Sequence, residues 1–220
     1  MDLMKIYNKL LSHFGIQYWW PAETKYEVVI GAIITQNISW KNVEKALNNL
    51  KNEDLIDEKR ILKINTEKLK ELIKPAGFYN IKAERLKNIT KYIVDNYKTT
   101  DELAKTEKDT NILRNELLNI KGVGKETADS ILLYALDRKI FVVDAYTRRI
   151  FSRYGIINKD MDYDEIRLIF EDNIIPSLNI YKEYHALIVE LGKNYCKKKN
   201  PLCNTCPLNL YCRKLFNKFY

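Results

Sequence analysis

Along this chain of 220 residues, apolar side chains recur every three or four positions in one segment after another. No long stretch alternates residue by residue as a strand would. That period predicts helices over residues 1–14, 26–34, 40–50, 69–73 and 81–96, the second of them almost wholly apolar. Breaks are expected at Trp20-Pro21, at Lys74-Pro75-Ala76-Gly77, around 158–163 and at Pro176. Only seven Gly and five Pro stand beside an apolar share of 46%, which argues against a disordered or loop-rich chain and leaves material for a real core. The Lys- and Asn-rich run 48–63 reads as solvated helix faces and turns. The expected fold class is all-α.

Lys and Arg outnumber Asp and Glu by 37 to 29, a net charge of +8 that suits a polyanionic partner. Residues 1–16 have no basic start, apolar middle and small-residue cleavage site, and no apolar run is long enough to span a bilayer. A cytoplasmic protein with no membrane partner is expected. In that reducing compartment, four cysteines crowded between residues 196 and 212 are better metal ligands than disulfide partners.

The cysteines form Cys196-x6-Cys203-x2-Cys206-x5-Cys212. Four thiolates on a short irregular loop can converge on one centre, and a loop with little core of its own gains its order from that centre. A structural zinc would use the same four ligands. Zinc ribbons, however, repeat two short Cys pairs a dozen or more residues apart, so the spacing of six, two and five favours an iron–sulfur cluster.

The segment Leu117-Leu118-Asn119-Ile120-Lys121-Gly122-Val123-Gly124-Lys125-Glu126-Thr127-Ala128 reads as a hairpin between two helices. The first ends near Leu118; the second places Ala128, Ile131, Leu132 and Ala135 on one face. Gly122 and Gly124 permit a tight turn and close approach of another backbone. The hairpin amides and the following helix start then point at an anion, which on a basic chain reads as a DNA phosphate held without regard to base sequence. Ile120, Lys121, Val123 and Lys125 complete the candidate DNA contacts.

This hairpin, an aspartate eighteen residues past Glu126 and the cysteine loop occur in the order seen in the endonuclease III superfamily of DNA glycosylases, which the chain resembles over nearly its whole length. The stretches Ile34-Thr35-Gln36-Asn37 and Ala76-Gly77-Phe78-Tyr79-Asn80-Ile81-Lys82-Ala83 resemble that family too. The resemblance implies a [4Fe–4S] cluster on Cys196, Cys203, Cys206 and Cys212. It also implies a helical barrel over 23–130 carrying the hairpin, a discontinuous lobe from 1–22 and 131–220 carrying the cysteine loop, and a DNA groove between them. Its partner would be double-stranded DNA containing a damaged base, bound by a monomer.

By the same resemblance Asp144, in Phe141-Val142-Val143-Asp144-Ala145-Tyr146-Thr147-Arg148-Arg149, is the catalytic carboxylate. Breaking an N-glycosidic bond builds positive charge on the sugar, which a carboxylate stabilises while it activates water. An Asp just before a helix is also what an N-cap looks like, and the two roles are compatible. The Gly/Pro-rich approach to this aspartate is missing here, since no Gly or Pro occurs between Gly124 and Asp144. Bifunctional members use a lysine two residues after the last hairpin glycine to form a Schiff base; Glu126 stands there instead. Lys125 next door points about 100° away around the helix. The expectation is a monofunctional glycosylase, with Glu126 a second candidate that orients water.

Trp19, Trp20, Pro21 and Trp40 supply flat walls for an extruded base, most like the 3-methyladenine branch of the family. The substrate classes in view are an alkylated purine, uracil or an oxidised base. Gln36 matches a glutamine that fills the gap left by the flipped base. Lys82, Arg148, Arg149 and Lys193 are candidate phosphate contacts, and Lys197 to Lys199 a basic rim of the cysteine loop. His13 and His185 form no constellation in the sequence. The competing readings are a bifunctional glycosylase and lyase, and a non-catalytic helix-hairpin-helix DNA-binding protein in which Asp144 is only a cap.

Overall fold

A computed structural model describes residues 2–36 and 38–216. Asn37, which closes one of the family-like stretches, and positions 1 and 217–220 lie outside the described residues. The helices form where the apolar period places them. The first, α1 (Leu3–Phe14), starts on Asp2, whose carboxylate accepts from Met4 N, and stops at Gly15 with φ of 71°. It is followed by α2 (Lys25–Ile34), α3 (Trp40–Asn52), α4 (Glu58–Lys63), α5 (Thr66–Leu72), α6 (Tyr79–Tyr97), α7 (Thr100–Lys105) and α8 (Thr110–Leu118). Then come α9 (Lys125–Ser130), α10 (Ala145–Tyr154), α11 (Tyr163–Asn173) and α12 (Leu178–Asn194). No strand occurs among the described residues, so the all-α expectation holds. The expected breaks are all present, Lys74–Ala76 as a 3-10 turn and the others as loops.

The chain divides into two compact units, one from Trp20–Arg138 and one from Met1–Trp19 with Lys139–Tyr220. In the first, α2 is the hub. Every residue from Tyr26 to Ile34 is buried, as a helix apolar all round requires, and α3, α6, α7 and α9 pack on it. Burying each large aliphatic side chain there contributes about 1.5–3 kcal/mol. The α9 helix does not stop at Ser130. Residues Ile131–Ala135 continue it as a π turn, in which Leu136 N donates to Ile131 O at 3.0 Å, and all five are buried.

The second unit is built from α1 and α10 to α12, with α12 packed against α1 and α10. Its core is aromatic: Phe141 stacks on Phe170 at 4.3 Å, and Phe151 meets Phe170 edge-on at 4.8 Å. Tyr184, fully buried on α12, donates its hydroxyl to Leu3 O at 2.9 Å and so ties the two ends of the chain. Residues 140–143 run extended and buried into α10. Phe141 N donates to Glu171 Oε1 at 2.8 Å and Val143 N to Tyr163 Oη at 3.2 Å. These side-chain acceptors steady a segment that has neither Gly nor Pro to bend it.

Candidate functional site

The hairpin is a rigid turn. Gly122 has φ of 97°, and a Cβ there would collide with the Arg85 side chain, so only glycine fits on both counts. Gly124 plays a different part from Gly122. It has φ of −96°, caps α9, and has nothing within 4 Å of where a Cβ would lie. What Gly124 keeps is open space, which lets another backbone approach. Val123 is buried beneath the turn, while Lys121 is exposed beside Glu84 at 2.7 Å; Ile120 and Lys125 are half-buried. Beneath the turn, Arg114 of α8 grips Asp129 of α9 through two bonds, Nε to Oδ1 at 2.6 Å and Nη2 to Oδ2 at 3.1 Å, with both residues buried. Glu126 is exposed on the first turn of α9.

Gln36 rests on this hairpin. Its amide donates to Thr127 Oγ1 at 2.9 Å and Gly122 O at 3.3 Å, and Arg85 donates to its Oε1. In the same unit Trp20 and Trp40 meet edge to face with ring centres 5.3 Å apart. Trp20 lies close against Gly31, where a Cβ would stand 3.1 Å from the indole. Tyr134, on the π turn, lies 5.3 Å from Trp20 and makes a third aromatic wall that the sequence reading did not single out. Pro21 is exposed next to them. Trp19 belongs to the other unit, where Lys193 Nζ stands 5.8 Å from its ring centre.

Asp144 caps α10. Its Oδ1 accepts from Thr147 N at 2.7 Å and from Thr147 Oγ1 at 2.9 Å. Its Oδ2 lies 3.7 Å from Nε2 of His185, which is 6% exposed on α12. At that distance the imidazole edge faces the carboxylate just beyond ordinary hydrogen-bond length. Burial alone would push the Asp144 carboxyl up, but His185 and the two Thr147 donors outweigh it and hold the group below its usual range. The result is a buried carboxylate that stays ionised, with its direction fixed. The sequence reading gave His185 no role, and nothing in the sequence links it to a residue 41 positions away.

Three of the four basic residues offered as phosphate contacts have partners within the fold. Lys82 is 2% exposed, its ammonium drawn down to about 8 by burial, and it donates to Ile34 O and Ala76 O at 2.8 Å each. It caps the end of α2 rather than meeting solvent. Arg148 Nη1 donates to Met161 O at 2.6 Å, and Arg149 Nε to Cys196 O at 2.9 Å. Lys193 and Lys197 to Lys199 are exposed.

The four cysteines line one small cavity of about 30 Å³ together with Arg153, Tyr195, Asn209, Lys214 and Phe216. Arg153 Nη1 lies 3.5 Å from Cys196 Sγ, and Lys214 N donates to Cys212 Sγ at 3.4 Å. Burial pushes the Cys206 and Cys212 thiols up, so they resist ionising unless a cation binds them. Arg153 also donates to Lys197 O at 2.7 Å and Lys198 O at 3.0 Å. The loop is thus held to α10 by arginines rather than by a core of its own. Among the described residues no three His, Cys, Asp or Glu side chains are grouped to hold a single metal ion.

A hairpin stiffened for a backbone and a carboxylate kept ionised in a buried place suit enzymes that cut the bond between a damaged base and its sugar. Residues 30–176, which span both features, match the HhH-GPD superfamily of base excision DNA repair proteins, and the chain belongs to that family of DNA N-glycosylases. A putative DNA repair glycosylase of Methanocaldococcus jannaschii is 66% identical over 210 residues, 96% of this chain and 95% of the relative. Endonuclease III of Thermotoga maritima is 30% identical over 189 residues, 85% of this chain and 82% of that one. Among solved structures, H. pylori 3-methyladenine DNA glycosylase bound to 1,N6-ethenoadenine superposes with a TM-score of 0.75 at 33% identity, covering 88% of this chain and 98% of that one. A non-covalent endonuclease III–DNA complex shares the fold with a TM-score of 0.80 at 21% identity, covering 96% and 94%.

Proposed function

We propose that this chain is a monofunctional glycosylase that removes an alkylated purine from double-stranded DNA, with Asp144 as its catalytic carboxylate. The observation that carries this reading is the state of Asp144: buried, held ionised and aimed by Thr147 and His185. As the N-glycosidic bond breaks, its electron pair leaves with the base and positive charge gathers on the sugar. An ionised carboxylate in a low-dielectric setting stabilises that charge. Water then adds to the sugar carbon and gives its proton to the carboxylate, leaving an abasic site and an intact backbone. A cationic alkylpurine leaves without a proton donor, which suits a site whose key group is a base and not an acid. No lysine stands at position 126 to form a Schiff base; Glu126 there is the candidate residue for orienting water.

The aromatic group of Trp20, Trp40 and Tyr134 supports a flat base, as does the likeness to a 3-methyladenine DNA glycosylase bound to 1,N6-ethenoadenine. Trp19 and Pro21 are further candidate walls of the base site. Gln36 and the hairpin residues Ile120, Lys121, Gly122, Val123, Gly124 and Lys125 are the candidate DNA contacts. Cys196, Cys203, Cys206 and Cys212 would hold a [4Fe–4S] cluster. The donor set fits it: four soft sulfurs face one cavity, with the Arg153 guanidinium and Lys214 N–H directed at sulfur, as such clusters accept. The spacing of six, two and five between the cysteines favours the cluster over a zinc ribbon. When bound, the cluster orders the loop.

Duplexes carrying 3-methyladenine, uracil or 8-oxoguanine, scored before and after alkali with Asp144→Asn in parallel, test the reading. Alkali-dependent cleavage of the alkylated duplex that disappears in the variant is expected. Cleavage without alkali would make the enzyme a lyase. Cleavage of only another duplex would move the substrate, and no cleavage of any would leave a DNA-binding module.

A further inference from the structure

A carboxylate has about four lone-pair directions. On Asp144 the two of Oδ1 are taken by Thr147 N and Thr147 Oγ1. That leaves Oδ2, and the side chain recorded against it is the His185 imidazole at 3.7 Å. His185 lies at the centre of α12 with Tyr181, Tyr184 and Ile188 around it, all buried, on the helix that packs against α10. A histidine on an apolar helix face is costly to bury unless a partner offsets the loss of water, and the recorded partner is the group at the start of α10.

We propose that His185 is a positioning residue: it packs its ring edge against the second oxygen of Asp144 and so sets the direction in which the carboxylate meets the developing charge on the sugar. The inference rests on the reading of Asp144 as the catalytic carboxylate and assigns the helix α12, which lies outside residues 30–176, a part in the chemistry. Thr147 alone would satisfy the cap, yet it binds only one oxygen. His185 is what distinguishes a carboxylate held for chemistry from one that merely starts a helix.

The test compares two duplexes that need no assumption about the base. One carries a neutral tetrahydrofuran abasic nucleotide and the other a cationic pyrrolidine abasic nucleotide, which imitates the charged sugar. The measured quantity is the ratio of the two dissociation constants, in which any general loss of DNA affinity cancels. The wild-type protein is expected to favour the cationic duplex, and Asp144→Asn to lose the preference. His185→Leu should reduce the preference about tenfold or more, the effect of losing a contact to a charged group. His185→Gln, which restores a donor, should recover it to within about threefold. Circular dichroism identifies a variant that does not fold; His185→Phe then replaces Leu as the donor-free ring. A folded Leu or Phe variant that keeps the full preference while Asp144→Asn loses it overturns the role of His185 alone. A folded Gln variant that behaves like Asp144→Asn overturns donation as that role. An Asp144→Asn protein that keeps the preference overturns the reading of Asp144 itself.

Discussion

The hairpin at residues 119–124 and the cysteine loop at 196–212 are both irregular connections, yet they are held by opposite means. The hairpin is fixed by the helices that flank it: Val123 is buried under the turn, and a buried Arg114–Asp129 pair joins α8 to α9. Within the cysteine loop Leu208 is the one buried apolar residue recorded, and the arginines of α10 reach out to hold its carbonyls. A turn that carries its own packing keeps its geometry whether or not anything binds. A loop that lacks a core takes its order from what its sulfurs bind.

The strongest way to break this contrast is to remove whatever the thiols hold, by Cys203→Ser or by oxidative loss of the proposed cluster. Limited proteolysis with mass spectrometry should then show new cuts between 197 and 212, with the brown colour gone, while amides of α8 and α9 keep their hydrogen-exchange protection. Equal loss of protection in both regions would erase the distinction. The next largest effect is expected from Arg114→Leu, which strands the buried Asp129 carboxylate; chemical denaturation should show a loss of about 3–5 kcal/mol with the colour retained. The two hairpin glycines sharpen the contrast further. Gly122→Ala must adopt a left-handed conformation against Arg85 and should cost about 1–3 kcal/mol, whereas Gly124→Ala should change stability by no more than about 0.5 kcal/mol and act mainly on DNA affinity.

At Asp144 the expected effect on stability is small as well. Asparagine is a comparable helix cap, so Asp144→Asn should stay within about 1 kcal/mol of the wild type, while base release falls by about a hundredfold or more. The acid limb supplies a check of sign. The carboxyl is held below its usual range in the fold, so its contribution to stability is present above the unfolded value near about 3.9 and disappears as the pH falls through the folded value. Melting curves between neutral and acid pH should show that loss in the wild type and its absence in Asp144→Asn.

Much of this was legible in the sequence because it is local. The apolar period marked the helices, Pro and Gly marked their ends, and Asp144 before Ala145 read as a cap, which it is. What was not legible depends on partners far along the chain. Lys82 looks like any basic residue, but it follows the Gly77 turn on the face of α6 that also buries Ala83, Leu86 and Ile89, and its partners are carbonyls of other segments. Arg114 and Asp129 sit fifteen residues apart across a turn and carry no local sign of pairing. His185 on an apolar face reads as core packing, and only the fold brings it to Asp144. Gly122 and Gly124 look alike in sequence; backbone direction alone separates the strained one from the open one.

The π turn at Ile131–Ala135 bears on what length changes the chain tolerates. A π turn is a helix that has absorbed an additional residue, so the segment after α9 runs one residue out of step with an ordinary helical ladder. Deleting one residue between Ser130 and Leu136 would let the regular ladder close and would rotate Tyr134 by about 100°, away from Trp20. The length of the segment after α9 is therefore a setting of where Tyr134 lies against Trp20.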